Sequence, residues 1–383
     1  MKQSADVVII GGGCMGASVA FHLARRGVTN VVLVEREPML ATGSTGRNAG
    51  GVRHQFSNEA NIRLSIESIN TLVHFEEEVG YQIDFHQDGY LFLLSSSKSV
   101  DAFKRNVEIQ RACGIEVDWL DAAAAETLAP GLDARGVLGA TFCRHDGIAD
   151  PNGVTMGFAK AAQAMGVEIV RETEVVGIDV ASGRVTGVET SRGRIATNTV
   201  VNAAGPHARQ VGRLAGVDVP VDPYRRHIFI AQDFTKPVPP NRIMVIDFDT
   251  TFYFHREGAG MLFGMGDPDE PSGFDTTVRW DFLPDVTQVA MQRLPALEDA
   301  SISHAWAGLY EMSPDGNPLI GPVPELAGFH AINGFSGHGF QHSPAAGRLL
   351  ADLITGSDPG QDLSQFAPGR FAAGRGAGER YVV

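Results

Sequence analysis

DVVIIGGGCMGASVAFHLARRG, residues 6–27, decides the fold. Its opening DVVII (6–10) is a short β-branched run, the pattern of a strand covered on both faces. Glycines follow, then ASVAFHLARRG (17–27), which has helical spacing and a closing glycine suited to a C-cap. VVLVE (31–35) supplies a second buried strand, so the stretch spells one βαβ unit. Gly11, Gly13 and Gly16 set GxGxxG in the turn between the first strand and the helix. The first glycine permits the tight turn, the second lets backbone approach a pyrophosphate, and the third lets helix and strand pack closely. The helix N-terminus then faces phosphates, and Glu35 closes the second strand where ribose hydroxyls would donate to it. The bland alternative is a glycine-rich turn with no nucleotide. Cys14 stands at the helix N-terminus, where a thiol pKa can fall, but packing against a cofactor is the simpler role.

Working outward, 383 residues are too many for one compact core and imply two structural domains. A hydrophobic share of 43% and a charged share of 20% are those of a soluble globular chain. The net charge of −14, with no Lys/Arg-rich stretch, argues against nucleic acid or anionic lipid as a partner. No apolar run approaches the roughly 18 residues that span a bilayer. The apolar start leads straight into glycines, so it reads as a strand and not a signal peptide. Cys14, Cys113 and Cys143 form no CxxC pair, which implies neither a disulfide framework nor a metal site, and a reducing cytoplasm fits.

Residues 41–53, ATGSTGRNAGGVR, are too glycine-rich for regular structure and read as a working loop. Residues 58–79 carry the pattern of one long amphipathic helix, and 82–94 and 137–148 alternate like strands. Helices are expected over 152–165, near 284–293 and over 344–355, and strand pairs over 167–201. From about 222 to 310 the chain turns to mixed strands with aromatics. A strand over 329–334 leads into a second glycine cluster, FSGHGFQ (335–341). Two discontinuous domains follow: 1–80, 145–220 and 311–367 in one, 81–144 and 221–310 in the other, with 368–383 a tail mobile at its end.

Three segments besides the glycine turn, GSTGRNAGGVR (43–53), VVNAAGPHA (200–208) and INGFSGHGFQHSPAAGRLLADLI (332–354), resemble the D-amino-acid oxidase superfamily of flavoproteins. Within it the chain is most similar to the branch of sarcosine oxidases, glycine oxidase, dimethylglycine-oxidising enzymes and heteromeric proline dehydrogenase. The resemblance runs in family order over nearly the whole chain. It implies FAD on a glutathione-reductase-type Rossmann domain, with a smaller mixed-sheet domain for substrate. Ser44 and Thr45 match phosphate-facing hydroxyls, and Asn48, Ala49, Gly50 and Gly51 match backbone beside the isoalloxazine. Val175 matches a residue at the adenine, and Ala204 and Gly205 match the turn at the adenosine end. Cys14, Met15, Arg36, Gly308 and Gly337 complete the expected cofactor contacts. Ser343 is a natural N-cap and Pro344 a natural first helical residue, so that helix would aim its positive end at the flavin. The backbone of Gly339, Phe340 and Gln341 would donate there.

The implied reaction is hydride transfer from a carbon next to nitrogen to flavin N5, giving an imine that water hydrolyses. The implied substrate is a small secondary amine or amino acid, sarcosine-, N-methyl- or proline-like. A D-amino acid or glycine-type deaminating oxidase is the alternative within enzymes. Outside them stands a flavin-binding assembly or interaction protein without amine turnover, and a third rival is an NAD-dependent dehydrogenase. Arg53 matches the arginine that binds substrate carboxylate, with a surface ion pair as its alternative. Tyr253 and His255 share one face of a strand expected to line the pocket, with a packed core pair as theirs. His338 is either a base or a positional residue. Arg225, Arg226 and His227 read as the charged start of a strand without a role.

Departures from the family carry information. Gly308 and Arg47 stand where branches of the family attach flavin through a cysteine or a histidine, so FAD is expected to be non-covalent. Leu262 replaces a lysine that promotes reaction with oxygen, and Gln341 one that helps hold the carboxylate. Electrons could therefore pass to O2, to a quinone or to a partner protein. The RHD at 144–146 mimics an FMN-anchoring motif, but Pro151 occupies the anchoring position. Homo- or hetero-oligomers are compatible with all of this.

Overall fold

The computed structural model describes residues 1–371 and 378–379. Its organising layer is a six-stranded sheet in the order Leu319–Pro322, Phe329–Asn333, Val200–Asn202, Val7–Ile10, Val31–Val34, Glu168–Val170. All neighbours run parallel except the Leu319–Pro322 edge. VVII and VVLV are buried at every position, which is why an uninterrupted β-branched run suits them. Val7, Ile9, Val31 and Leu33 face a layer containing the helices Cys14–Arg25, Pro151–Ala164 and Gly339–Thr355. Val8, Ile10, Val32 and Val34 face the three-stranded ribbon of 175–196 and the helix Ala208–Leu214. The first and last of the three helices cross closely: a Cβ on Gly347 would stand 2.1 Å from Ser18 Oγ.

The second layer is an eight-stranded mixed sheet, ordered Ser301–Met312, Asp222–Gln232, Gly260–Met265, Phe252–Glu257, Met244–Asp247, Tyr90–Leu94, Gly139–Cys143, Asp118–Leu120. Only the Met244–Asp247 and Tyr90–Leu94 pair is parallel. One face buries a phenylalanine-rich core (Phe229, Phe252, Phe254, Phe263 and Phe282) under the helix Leu283–Arg293. A small sheet of Gly51–Val52, Gly147–Ala149 and Phe85–His86 ties the early glycine loop to the chain leading into Pro151–Ala164. The fold is thus a Rossmann-type α/β layer with a second mixed sheet, both assembled from separated stretches of sequence.

Several local expectations change. The helix expected over 58–79 is two, Glu59–Val73 and Phe75–Val79, parted at His74, whose ring folds back on the Asn70 carbonyl at 2.9 Å. Ser97–Ala112 is an additional helix, capped by Ser96 accepting from Ser99 N. The late helix begins at Gly339 and not at 344, so Ser343 is no cap and Pro344 lies inside. Pro344 has no N–H for the Phe340 carbonyl four residues earlier, and the Ser343 hydroxyl donates to that carbonyl instead, at 2.8 Å. The tail docks where it is described: Arg370 is buried against Asp315 at 2.8 Å, and Ser57 Oγ donates to Glu379 at 2.7 Å. The other residues of the expected mobile end lie outside the described residues. Among the described residues no helix is long and apolar enough to cross a membrane.

Candidate active site

A cavity of about 950 Å³ opens at the carboxyl ends of Val7–Ile10 and Val31–Val34 and reaches the second sheet. At its first end, two glycines are demanded by backbone approach. Gly11 adopts φ +113°, and a Cβ there would stand 2.4 Å from Ala203 O; one on Gly16 would meet Gly11 O at 2.0 Å. Glu35 is fixed by two amides, Gly12 N at 2.7 Å and Glu37 N at 2.9 Å. Arg36 reaches His207 Nε2 at 3.0 Å, and the His207 ring stacks on Phe274 with centroids 4.7 Å apart. Val175, Ala204 and Gly205 line the same end. Burial pushes the Cys14 thiol up to about 11, over the opposing Thr45 hydrogen bond, so Cys14 is a packed neutral thiol. The hydroxyls of Ser44 and Thr45 line the cavity, but their protons are directed to Leu309 O at 2.6 Å and Cys14 Sγ at 3.4 Å. Any phosphate contact they make would have to displace those bonds.

The middle of the cavity is a strip of backbone. Asn48 shapes it, donating through Nδ2 to Thr45 O at 2.5 Å and accepting from Gly50 N at 2.6 Å. Ala49, Gly51, Gly337, Gly339, Phe340 and Gln341 line it with Met15 and Gly308. Gly51 has no room for a side chain, since a Cβ would fall 1.7 Å from Tyr90 OH. Gly339–Gln341 form the first turn of their helix, where amides have no intrahelical acceptor. Gly16, Gly50 and His255, by contrast, do not line the cavity. His255 is a correction to its expected pocket role. Its ring is fully buried behind the strip, Nε2 facing Ala49 O at 3.1 Å and Nδ1 facing Arg256 O at 2.9 Å. Burial lowers it to about 4, so it is neutral and braces the loop. Tyr253, on the same strand, does line the cavity.

Arg53 closes the other end. Only 6% exposed, it is no surface ion pair. Its backbone N donates to Gln341 Oε1 at 2.8 Å, its Nη1 donates to the Gln55 carbonyl, and its guanidinium lies 4.0 Å over the Phe56 ring. Beneath it, Asp146 Oδ1 accepts from His54 N at 2.8 Å and lies 2.7 Å from His54 Nδ1, while Oδ2 accepts from Gln55 Nε2 at 3.2 Å. His54, Asp146 and the nearby Cys143 place ligand-type atoms within 4.8 Å of one another. The carboxylate oxygens are already occupied, and burial followed by the Asp146 charge drives the Cys143 thiol far up. The trio is therefore a hydrogen-bonded brace for the loop carrying Arg53. His338 also lines this end; burial, then the Arg53 charge, lowers it to about 3. Neither of its ring nitrogens has a partner among the described residues. Such a weak base is poorly suited to proton abstraction.

Four further wall residues carry chemistry that was given no role in the sequence: Tyr90, Arg226, Tyr310 and Glu311. Burial raises all three cavity phenols, Tyr90, Tyr253 and Tyr310, so they are neutral donors. Glu311 turns one side to the cavity while its Oε2 is sealed without a partner. Burial pushes this carboxyl up to about 7, against the Gly334 and Phe335 amides. Its folded pKa therefore exceeds the unfolded value. The associated stability is full below about pH 4.5 and is lost as pH rises through about 7, up to about 3 kcal/mol. Flavin-free protein should lose melting temperature between pH 5 and 8, and Glu311→Gln should flatten that loss. Melting curves with equal pH slopes in both proteins would refute this.

These features suit an extended dinucleotide: a glycine turn at one end, orphaned polar atoms along the wall, and a backbone strip too tight for side chains. The comparisons agree. Residues 6–353 match the FAD dependent oxidoreductase (DAO) family. Human mitochondrial sarcosine dehydrogenase is 31% identical over 97% of this chain, which spans only 42% of that protein. The crystal structure of L-proline dehydrogenase from P. horikoshii is 34% identical with TM-score 0.91, covering 98% of this chain and 100% of that one. Glycine oxidase from Geobacillus kaustophilus is 26% identical with TM-score 0.86, covering 96% and 99%. The chain therefore belongs to the FAD dependent oxidoreductase family, and its cofactor is FAD.

Proposed function

We propose that this chain oxidises the C–N bond of a small amino acid, with a secondary amine such as an N-methyl or cyclic amino acid as the favoured form. The observation that carries the reading is Arg53, a buried guanidinium facing a cavity end walled by Tyr90, Tyr253 and Tyr310. A buried cation stacked on aromatic rings suits a planar carboxylate. In this reading the pyrophosphate lies along Gly11–Gly13, the adenosine at Val175 and Ala204, and the isoalloxazine along Ala49, Gly51 and Gly339–Gln341. Residues 1–80, 145–220 and 311–367 carry the cofactor and 81–144 and 221–310 the substrate wall, a division supported by the two large sheets.

FAD, when bound, accepts a hydride from the carbon next to nitrogen. The chain's own part is to bind and orient. Arg53 holds the carboxylate, neutral phenols offer hydrogen bonds, and His338 fills space near the reacting carbon without taking a proton. FAD is held without a covalent link, since Gly308 offers no nucleophile and Arg47 Nη1 donates to Ala307 O at 2.9 Å. Leu262 is buried, and the described residues of the cavity wall include no lysine. This supports electron transfer to a quinone or partner protein over rapid reaction with O2.

Anaerobic mixing with sarcosine, proline, glycine and D-alanine tests the reading. Bleaching of the flavin's visible band by sarcosine or proline, ahead of the primary amines, is the expected result. On admission of air, recovery should be slower than with a soluble quinone. A yellow protein that no amine bleaches would overturn the reading in favour of a flavin-binding interaction protein.

A further inference from the structure

Glu311 is a buried acid that the proposed reaction does not use. It lies near the end of the edge strand Ser301–Met312 and joins the cavity wall among three segments that also line it. One is the turn at Ala204 and Gly205: a Cβ on Gly205 would stand 3.7 Å from Glu311 Oε2. The second is the glycine turn, since the Glu311 charge reaches the Cys14 thiol at the start of its helix and helps to raise it. The third is the late glycine cluster, whose Gly334 and Phe335 amides oppose the burial that pushes the carboxyl up. Oε2 is sealed from solvent without a partner, and no cation is among the groups that act on the carboxyl.

The surrounding titratable groups are already settled. Directly opposite Glu311 on the strand Asp222–Gln232 stands Pro223, which has no charge, and Tyr224 leaves on the other face. Arg225, on the same face as Pro223, is occupied by Glu270 at 2.9 Å and Asp275 at 2.6 Å. Asp222 pairs with Arg209 at 3.2 Å. Cys14, pushed up to about 11, and Tyr310, raised by burial, are both neutral. His207 ends the Gly205–His207 turn; burial lowers it, so it too is neutral in alkaline solution. Glu311 is therefore the group among these that changes charge between pH 6 and 9, since burial holds it at about 7.

With the pyrophosphate along Gly11–Gly13, as proposed above, an anionic cofactor enters a cavity that already holds this carboxyl. Two anions enclosed away from water repel far more strongly than in water, and a buried acid then neutralises instead of staying charged. We propose that FAD binds together with one proton, which Glu311 takes up, so that the holoenzyme keeps this side chain as a neutral carboxylic acid. The proton comes from solvent and is bound at a carboxylate oxygen; no bond of the flavin changes. The acid then has an O–H to donate, where the carboxylate could only accept. The proposal is independent of which amine is oxidised.

The test uses the whole chain freed of flavin and titrated with FAD in a calorimeter, at one pH in two buffers of different ionisation heat. Uptake should be close to one proton per FAD at pH 8 and should vanish at pH 5.5, where the free carboxyl is already protonated. The affinity, read from quenching of flavin fluorescence, should weaken about tenfold between pH 8 and pH 9. Glu311→Gln should bind FAD with no uptake at pH 8 and with equal affinity at the two pH values. A second reading needs only holoenzyme: its infrared spectrum at pH 8 should contain the stretch of a protonated carboxyl, shifted in heavy water and missing from Glu311→Gln. No uptake at pH 8 in the unmodified protein, uptake that survives Glu311→Gln, or holoenzyme without the carboxyl band would each overturn the proposal.

Discussion

Arg53→Met is expected to slow flavin reduction at limiting substrate by about a thousandfold while the protein stays yellow. Removing one partner of a desolvated, hydrogen-bonded charge pair costs roughly 2–5 kcal/mol, and each 1.4 kcal/mol is a factor of ten. The loss should fall mostly on apparent substrate affinity, because the carboxylate is distant from the bond that breaks. Methionine keeps much of the aliphatic stem but loses the guanidinium that lies over Phe56 and Phe92, so flavin content is read alongside to show that the wall survives. Arg53→Lys should recover little, since an ammonium cannot reproduce the planar fork. Stopped-flow reduction under anaerobic conditions reads the effect directly. A loss below tenfold would remove Arg53 from the binding site, and a colourless variant would make it a structural residue.

The second large effect concerns Gly11. Gly11→Ala should yield protein without flavin, or none that folds. The substitution meets two obstacles at once: a backbone at φ +113° that L residues rarely adopt, and a Cβ 2.4 Å from Ala203 O. Gly27→Ala separates them, because Gly27 also has positive φ, at +83°, yet a Cβ there meets nothing within 4 Å. That control should cost some stability and keep its FAD. The ratio of visible to ultraviolet absorbance in the purified proteins decides the matter. Equal flavin content in the two variants would show that close approach at Gly11 is not what the cofactor site depends on.

The cradle was legible because its information is local. Gly11, Gly13, Gly16 and Glu35 lie within one βαβ unit, where the periods of strand and helix announce themselves in a few residues. The helix Ser97–Ala112 was not, because its buried positions mix Phe103 and Val107 with Ser99, Asn106 and Gln110, an apolar stripe too thin to stand out. Ser343-Pro344 looked like a helix start because cap chemistry was read without knowing that the hydroxyl could replace the missing N–H. The substrate wall was the least visible part. Alternation placed Tyr253 and His255 on one face but said nothing of depth, and the Ala49 carbonyl draws His255 behind the loop. Tyr90, Arg226 and Tyr310 come together only because strands far apart in sequence share one sheet. Arg226 differs from Arg225 solely in which face it leaves, and nothing in RRH marks which arginine finds acids.

The order of strands in the six-stranded sheet also bears on how the protein is made. Val7–Ile10 pairs with Val200–Asn202, far later in the chain, and the strand beyond that is Phe329–Asn333, later still. The helix Gly339–Thr355, which covers the sheet's inner face, follows later still. Pairing so remote in sequence is slow, because the loop must close before the contact is gained. On a ribosome the apolar VVII therefore lacks its Val200–Asn202 partner until that later strand has been made. The glycine turn is made ahead of Gly339–Gln341, which line the same cavity, so the cradle is incomplete until that helix forms. Flavin capture therefore depends on pairing between strands remote in sequence, and a chain not yet paired exposes its apolar strands to aggregation.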